Sequence, residues 1–161
     1  MPCSVARTLD IIGEWWTLLI LRDVFYGVRR FEALRSHLGI SRKVLTNRLQ
    51  RLVDEEILKK VSYQENPIRY EYRLTKKGLD LLPVLLTIMN WGDRWISEPG
   101  EAPVIFVHTD CGKETTPKLV CSHCGEELTA QNMQPKPGPG APKEEIERLR
   151  KVSINPKLFT G

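Results

Sequence analysis

Ser41-Arg42-Lys43-Val44-Leu45-Thr46-Asn47-Arg48-Leu49-Gln50-Arg51-Leu52 is the stretch whose reading decides the fold. Ser41 has the side chain of an N-cap, and Val44, Leu45, Leu49 and Leu52 fall on one side of a helix with about 3.6 residues per turn. The other side carries Lys43, Thr46, Asn47, Gln50 and Arg51, with no carboxylate before Asp54. Lys and Arg neutralise phosphates, Asn and Gln bond bidentately to adenine edges, and Arg does so to guanine in the major groove. A helix that buries an apolar stripe and offers such a face has the chemistry of a DNA reader.

Upstream, three shorter helices are expected. Val5, Leu9 and Ile12 share a helical face that Gly13 ends, and Glu14 to Tyr26 is apolar apart from Thr17, Arg22 and Asp23, as befits a core helix. Phe31, Leu34 and Leu38 form a third stripe, closed by Gly39-Ile40 just before Ser41. Downstream, Ile57 to Gln64 is followed by the turn Glu65-Asn66-Pro67-Ile68-Arg69 and by alternating Tyr70, Tyr72 and Leu74. That pattern predicts a β-hairpin with Arg69 at its tip. Thr75 should then cap one long helix running to about Ser97, kinked at Pro83 and apolar nearly all round, which calls for a second subunit to cover it.

The 161 residues carry 24 Lys and Arg against 20 Asp and Glu, a formal net charge of +4. The excess is local, because Arg29, Arg30, Arg35, Arg42, Lys43, Arg48 and Arg51 stand in a segment whose only acid is Glu32. Apart from a solvated helix surface, an acidic polymer is the partner such a cluster suits. No apolar run approaches the roughly 20 residues of a membrane span, and the N-terminal residues lack a basic stretch followed by an apolar core, so a cytoplasmic protein is expected. Catalysis is not expected, since there is no GxGxxG, P-loop or serine elbow and the histidines are His37, His108 and His123.

Helices, a short turn, a polar basic helix and a hairpin, in that order, make a winged helix-turn-helix, mainly α with a β-hairpin wing. Cys3-Ser4-Val5-Ala6-Arg7-Thr8-Leu9-Asp10-Ile11-Ile12-Gly13 and Trp16-Thr17-Leu18-Leu19-Ile20-Leu21-Arg22-Asp23 resemble the HxlR-type transcriptional regulators. Arg30-Phe31-Glu32, Leu38-Gly39-Ile40-Ser41, Leu45-Thr46-Asn47-Arg48-Leu49, Pro67, Arg69-Tyr70-Glu71-Tyr72 and Leu74-Thr75-Lys76-Lys77-Gly78 continue the match to about residue 97. The resemblance implies a MarR-like winged helix, a homodimer formed by the terminal helices, and double-stranded DNA with a dyad-symmetric operator as partner. It assigns Lys43, Thr46, Asn47, Gln50 and Arg51 to bases and phosphates, Arg42 to phosphate, and Arg69 to the minor groove or backbone. Arg48 borders the apolar stripe and is open to pairing within the fold. Cys3 matches the N-terminal thiol that senses oxidants in some members, with the helix N-terminus and Arg7 favouring the reactive thiolate. The competing function is a winged helix that binds protein without specific DNA contact; the polar face of the recognition helix favours DNA.

Residues 1–98 are therefore expected to form the DNA-binding and dimerisation domain, 99–134 a small β-rich Cys/His appendage, 135–142 a Pro/Gly linker, and 143–161 a terminal helix and tail. Trp15, Trp16, Trp91 and Trp95 read as core or dimer interface in preference to an effector pocket. In the appendage, His108-x2-Cys111 and Cys121-x2-Cys124 have the spacing of two metal knuckles, and a Cys3His set could close a structural zinc site. His123 is a substitute for His108 in that set, while a reversible Cys121–Cys124 disulfide and free thiols are the rival readings.

Overall fold

The computed structural model describes residues 3–151. Helices α1 (Ser4–Ile12), α2 (Trp15–Phe25), α3 (Phe31–Leu38) and α4 (Arg42–Asp54) precede an antiparallel hairpin of β1 (Leu58–Glu65) and β2 (Ile68–Leu74). Then come α5 (Lys76–Leu79), α6 (Leu82–Trp95), the strand pair β3 (Phe106–His108) and β4 (Lys113–Thr115), and α7 (Lys143–Lys151). Residues Cys3–Pro117 cluster as one compact unit, and the described residues from Lys118 to Lys151 belong to another.

Burial follows the stripes read from the sequence. Ile20, Leu21 and Val24 of α2, Leu34 of α3, and Leu45, Leu49 and Leu52 of α4 are buried together with Ile57, Leu58 and Tyr72 of the hairpin. Each fully buried leucine contributes about 2 kcal/mol relative to exposure, so this cluster fixes how α4 sits on α2 and α3. Gly39, at φ +63, ends α3 in the left-handed region where a side chain would be strained, and the cap of the next helix follows two residues later. There Ser41 Oγ accepts the Val44 N–H at 3.3 Å, a cap worth about 1 kcal/mol.

The wing is tied to the helices at its base. Thr75 donates its hydroxyl to the Glu56 carbonyl at 2.6 Å, while its hydroxyl oxygen accepts the Gly78 N–H at 3.1 Å. Gly78 lies so near the hairpin that a Cβ there would stand 2.3 Å from the Ile57 carbonyl oxygen. At the other side, the Tyr72 N–H donates to the Arg29 carbonyl at 2.8 Å, joining β2 to the residues before α3.

Two expectations are corrected. The long helix from Lys76 is two, with Asp80 and Leu81 between α5 and α6 and Pro83 in the first turn of α6. Proline lacks the N–H that an interior turn needs and disfavours helical backbone before it, so it begins a helix more readily than it continues one. Of the tryptophans, Trp16 packs on the core, and Trp15, Trp91 and Trp95 are 77, 59 and 66% exposed in the single chain, which leaves the dimer-interface reading open for these three. Finally, the first unit extends past residue 98 to Pro117. Phe106 of β3 lies 6.5 Å from the Tyr26 ring, and Val104, Ile105 and Phe106 line a cavity with Leu86 and Met89 of α6.

One buried charge stands in this core. Asp23 is fully enclosed; Arg22 donates to its Oδ1 from Nη2 at 2.8 Å and from Nε at 3.0 Å, and His37 Nδ1 lies 2.6 Å from Oδ2. His37 stands in the last turn of α3, so the carboxylate joins α2 to α3. Asp23→Ala should lower stability by about 2 kcal/mol in urea unfolding, through loss of charge-assisted bonds in a buried position; an unchanged midpoint would show that the bridge is dispensable.

Candidate nucleic-acid interface

The outer face of α4 is made by spacing. Lys43, Thr46, Asn47 and Gln50 recur at i, i+3, i+4 and i+7 and are exposed, while Leu45, Leu49 and Leu52 hold the opposite face in the core. Gln50 Nε2 donates to Asp54 Oδ1 at 2.7 Å, a solvent-facing pair one helical turn apart. Lys43, Thr46 and Asn47 present a cation, a hydroxyl and an amide, able to meet a phosphate and base edges.

The arginines around this face are more engaged than their number suggests. Glu32 accepts from Arg42 Nη2 at 2.5 Å and from Arg35 Nη1 at 3.1 Å, and the Arg42 guanidinium also lies 5.2 Å from the Phe31 ring centre. Slight desolvation pushes the Glu32 carboxyl up, but the bonds and charges of Arg42 and Arg35 outweigh it and hold the group below its ordinary value. Arg51 pairs with Glu55 at 3.0 Å and reaches Asp10 of α1 at 3.9 Å, along a groove of about 500 Å³ shared with Arg7 and Lys77. Arg48 turns inward, binding Glu14 at 3.0 Å, with its Nε buried and unpartnered. It therefore ties α4 to the α1–α2 turn.

The hairpin carries a second basic surface. Arg69 is exposed as the second residue of β2, just after Asn66-Pro67, and pairs in register with Gln64, placing it beside the tip. Lys60 lies 5.9 Å from the ring centres of Tyr70 and Tyr72, and Arg30 stacks 4.2 Å from the Tyr63 ring centre. Arg73 is neutralised by Glu71 at 2.6 Å. Lys60 and the Arg30–Tyr63 stack were not picked out by sequence spacing; the interleaving of basic and aromatic residues in β1 and β2 was the available signal.

Cys3 is exposed at the N-cap of α1, and its carbonyl accepts the Arg7 N–H at 3.0 Å. His108 and Cys111 are brought together, Nδ1 to Sγ 3.4 Å, in the first unit, and Cys121 and Cys124 are brought together in the second. Among the described residues, no group of three or more His, Cys, Asp or Glu side chains is gathered to hold a metal ion. Nor is any described helix long and apolar enough to cross a membrane.

A capped helix with a carboxylate-poor outer face, held over two supporting helices and flanked by a basic hairpin, defines a winged helix-turn-helix DNA-binding protein. The chain belongs to the HxlR-like helix-turn-helix family, whose family model matches residues 11–99. It is 48% identical over 137 residues to an uncharacterised HTH-type transcriptional regulator of Mycobacterium tuberculosis, covering 85% of this chain and 87% of that one. Among solved structures it is similar to the crystal structure of a candidate transcription factor, with TM-score 0.74, 36% identity and coverage of 83% of this chain and 94% of that chain. The reduced form of the transcriptional regulator YodB from Bacillus subtilis matches with TM-score 0.52 and 31% identity, over 62% of this chain and 99% of that one. The protein is a DNA-binding transcriptional regulator of this family.

Glu32 is the acid that occupies Arg42 and Arg35, so Glu32→Gln should raise affinity for duplex DNA and steepen the logarithmic salt dependence by up to about one, the release expected for one further phosphate contact. An unchanged slope would show that neither arginine reaches the backbone.

Proposed function

We propose that the chain acts as a homodimer on a dyad-symmetric operator, with one α4 in the major groove of each half-site. The observation that carries this reading is the exposed Lys43–Thr46–Asn47–Gln50 face of α4. Asn47 and Gln50 read base edges, Thr46 contacts a base or phosphate, and Lys43 neutralises a phosphate. Arg42 and Arg51 reach phosphates by leaving their intramolecular carboxylates, and Arg69 enters the minor groove or follows the backbone beside it. Support for the dimer comes from the large apolar side chains left uncovered on the terminal helices, Val5 and Leu9 on α1 and Ile88, Trp91 and Trp95 on α6. A single soluble chain rarely leaves so much apolar surface to water.

The thiol of Cys3 is the proposed sensor. Its exposure at the start of α1 makes it accessible to oxidants, and α1 carries part of the uncovered apolar surface. Oxidation there would alter the spacing of the two recognition helices. Similarity to a regulator solved in a reduced form supports that reading.

Binding to fragments selected from genomic DNA tests both parts. Asn47→Ala should cost about 1–3 kcal/mol on the selected fragment and little on random DNA, whereas Lys43→Ala should weaken both alike and lower the salt slope by about one. Equal losses on both DNAs for Asn47→Ala would remove it from base reading. A thiol oxidant should release wild-type protein but not Cys3→Ser; release of both would assign the response elsewhere.

A further inference from the structure

Two turns in the C-terminal part of the chain share a local form that DNA binding does not use. In His108-Thr109-Asp110-Cys111-Gly112, the Gly112 N–H donates to the His108 carbonyl at 2.8 Å, and Gly112 has φ +66. In Cys121-Ser122-His123-Cys124-Gly125, the Gly125 N–H donates to the Cys121 carbonyl at 2.9 Å, and Gly125 has φ +78. Each turn closes a short antiparallel pairing, Phe106–His108 with Lys113–Thr115 in one and Val120 with Glu127 in the other. The Cys121 N–H also donates to the Glu126 carbonyl at 2.8 Å. Positive φ at the fifth residue lets the chain fold back so that the first and fourth side chains project from the same side of the turn.

The donors so presented are a nitrogen and a sulfur in the first turn and two sulfurs in the second. All three thiols are free, those of Cys111 and Cys124 are exposed, and that of Cys121 is half-buried. The backbone N–H groups of Cys124 and His123 and the Cys124 thiol stand around the Cys121 sulfur. N–H groups aimed at a sulfur stabilise negative charge, which a metal-bound thiolate carries and a disulfide sulfur does not.

We propose that these two turns are metal knuckles, each donating its pair of side chains to a zinc-class divalent cation. Sulfur with imidazole selects zinc and its neighbours over calcium or magnesium, which prefer oxygen. Each cysteine loses its proton to solvent as the metal–sulfur bond forms, so uptake by the second turn releases up to two protons and weakens in acid. Each turn provides two donors and a tetrahedral ion takes four, so each completes its coordination with donors from outside itself.

Cobalt(II) added to the reduced, metal-stripped full-length protein is the test, with zinc content measured on the protein as purified. Thiolate-to-cobalt absorption should appear, should vanish on adding zinc, and should weaken in Cys121→Ser, Cys124→Ser and Cys111→Ser but not in Cys3→Ser. Thiol labelling of wild-type protein supplies a second readout that does not depend on how a serine variant folds: zinc should slow modification of Cys111, Cys121 and Cys124 at least tenfold while Cys3 reacts as before. Absence of thiolate absorption together with unaltered labelling would overturn the proposal, as would absorption that survives removal of Cys111, Cys121 and Cys124 together.

Discussion

The buried carboxylate of Asp23 is the constraint on which the placement of the DNA-facing helix depends. It is the fully enclosed charge of the core, and the groups that satisfy it, Arg22 and His37, come from the helix it lies on and from the end of α3. Three residues after His37 the chain has passed through Gly39 and reached Ile40, itself buried, and then the cap of α4. The orientation of α3 is thereby specified by directional bonds as well as by the non-directional packing of Leu34, Leu45 and Leu49. A buried carboxylate left without partners costs far more than a misplaced leucine, so alternative packings of α3 are disfavoured.

From that anchor the interface follows by geometry. Packing of Leu45, Leu49 and Leu52 turns Lys43, Thr46, Asn47 and Gln50 outward, and Arg48–Glu14 ties the middle of the helix to the α1–α2 turn. The wing is set by Thr75 and Gly78 at its base and by the Arg29–Tyr72 bond along its length. Glu32 adds a restraint on charge: it occupies two arginines that would otherwise compete for any phosphate, leaving long-range attraction to the summed field and discrimination to the amide and hydroxyl side chains.

Much of this was legible in the chain because the relevant signals are local. Ser41, Gly39 and the leucine spacing mark α3, the turn and α4 without reference to anything distant, and Asn66-Pro67 between alternating tyrosines marks the wing. What escaped depends on partners far away in sequence. Arg42 reads as available for phosphate, but Glu32, ten residues earlier, holds it. Arg51 likewise reaches back to Asp10, and Asp23 meets His37 across 14 residues of sequence, with no local spacing to mark the pair. Pro83 reads as interior to one helix because the apolar pattern runs on through the break. Trp15, Trp91 and Trp95 have core composition but stand on surface that a single chain does not cover, a distinction that periodicity alone cannot make.

Hydroxyl-radical footprinting on a selected genomic fragment tests the central claim most directly, namely that two copies of α4 engage two symmetric half-sites. The account predicts two protected segments related by a dyad, with centres separated by about one helical turn or a whole multiple of it, roughly 10 base pairs each. Protection of a single segment, or weak uniform protection that disappears as salt is raised, would contradict it.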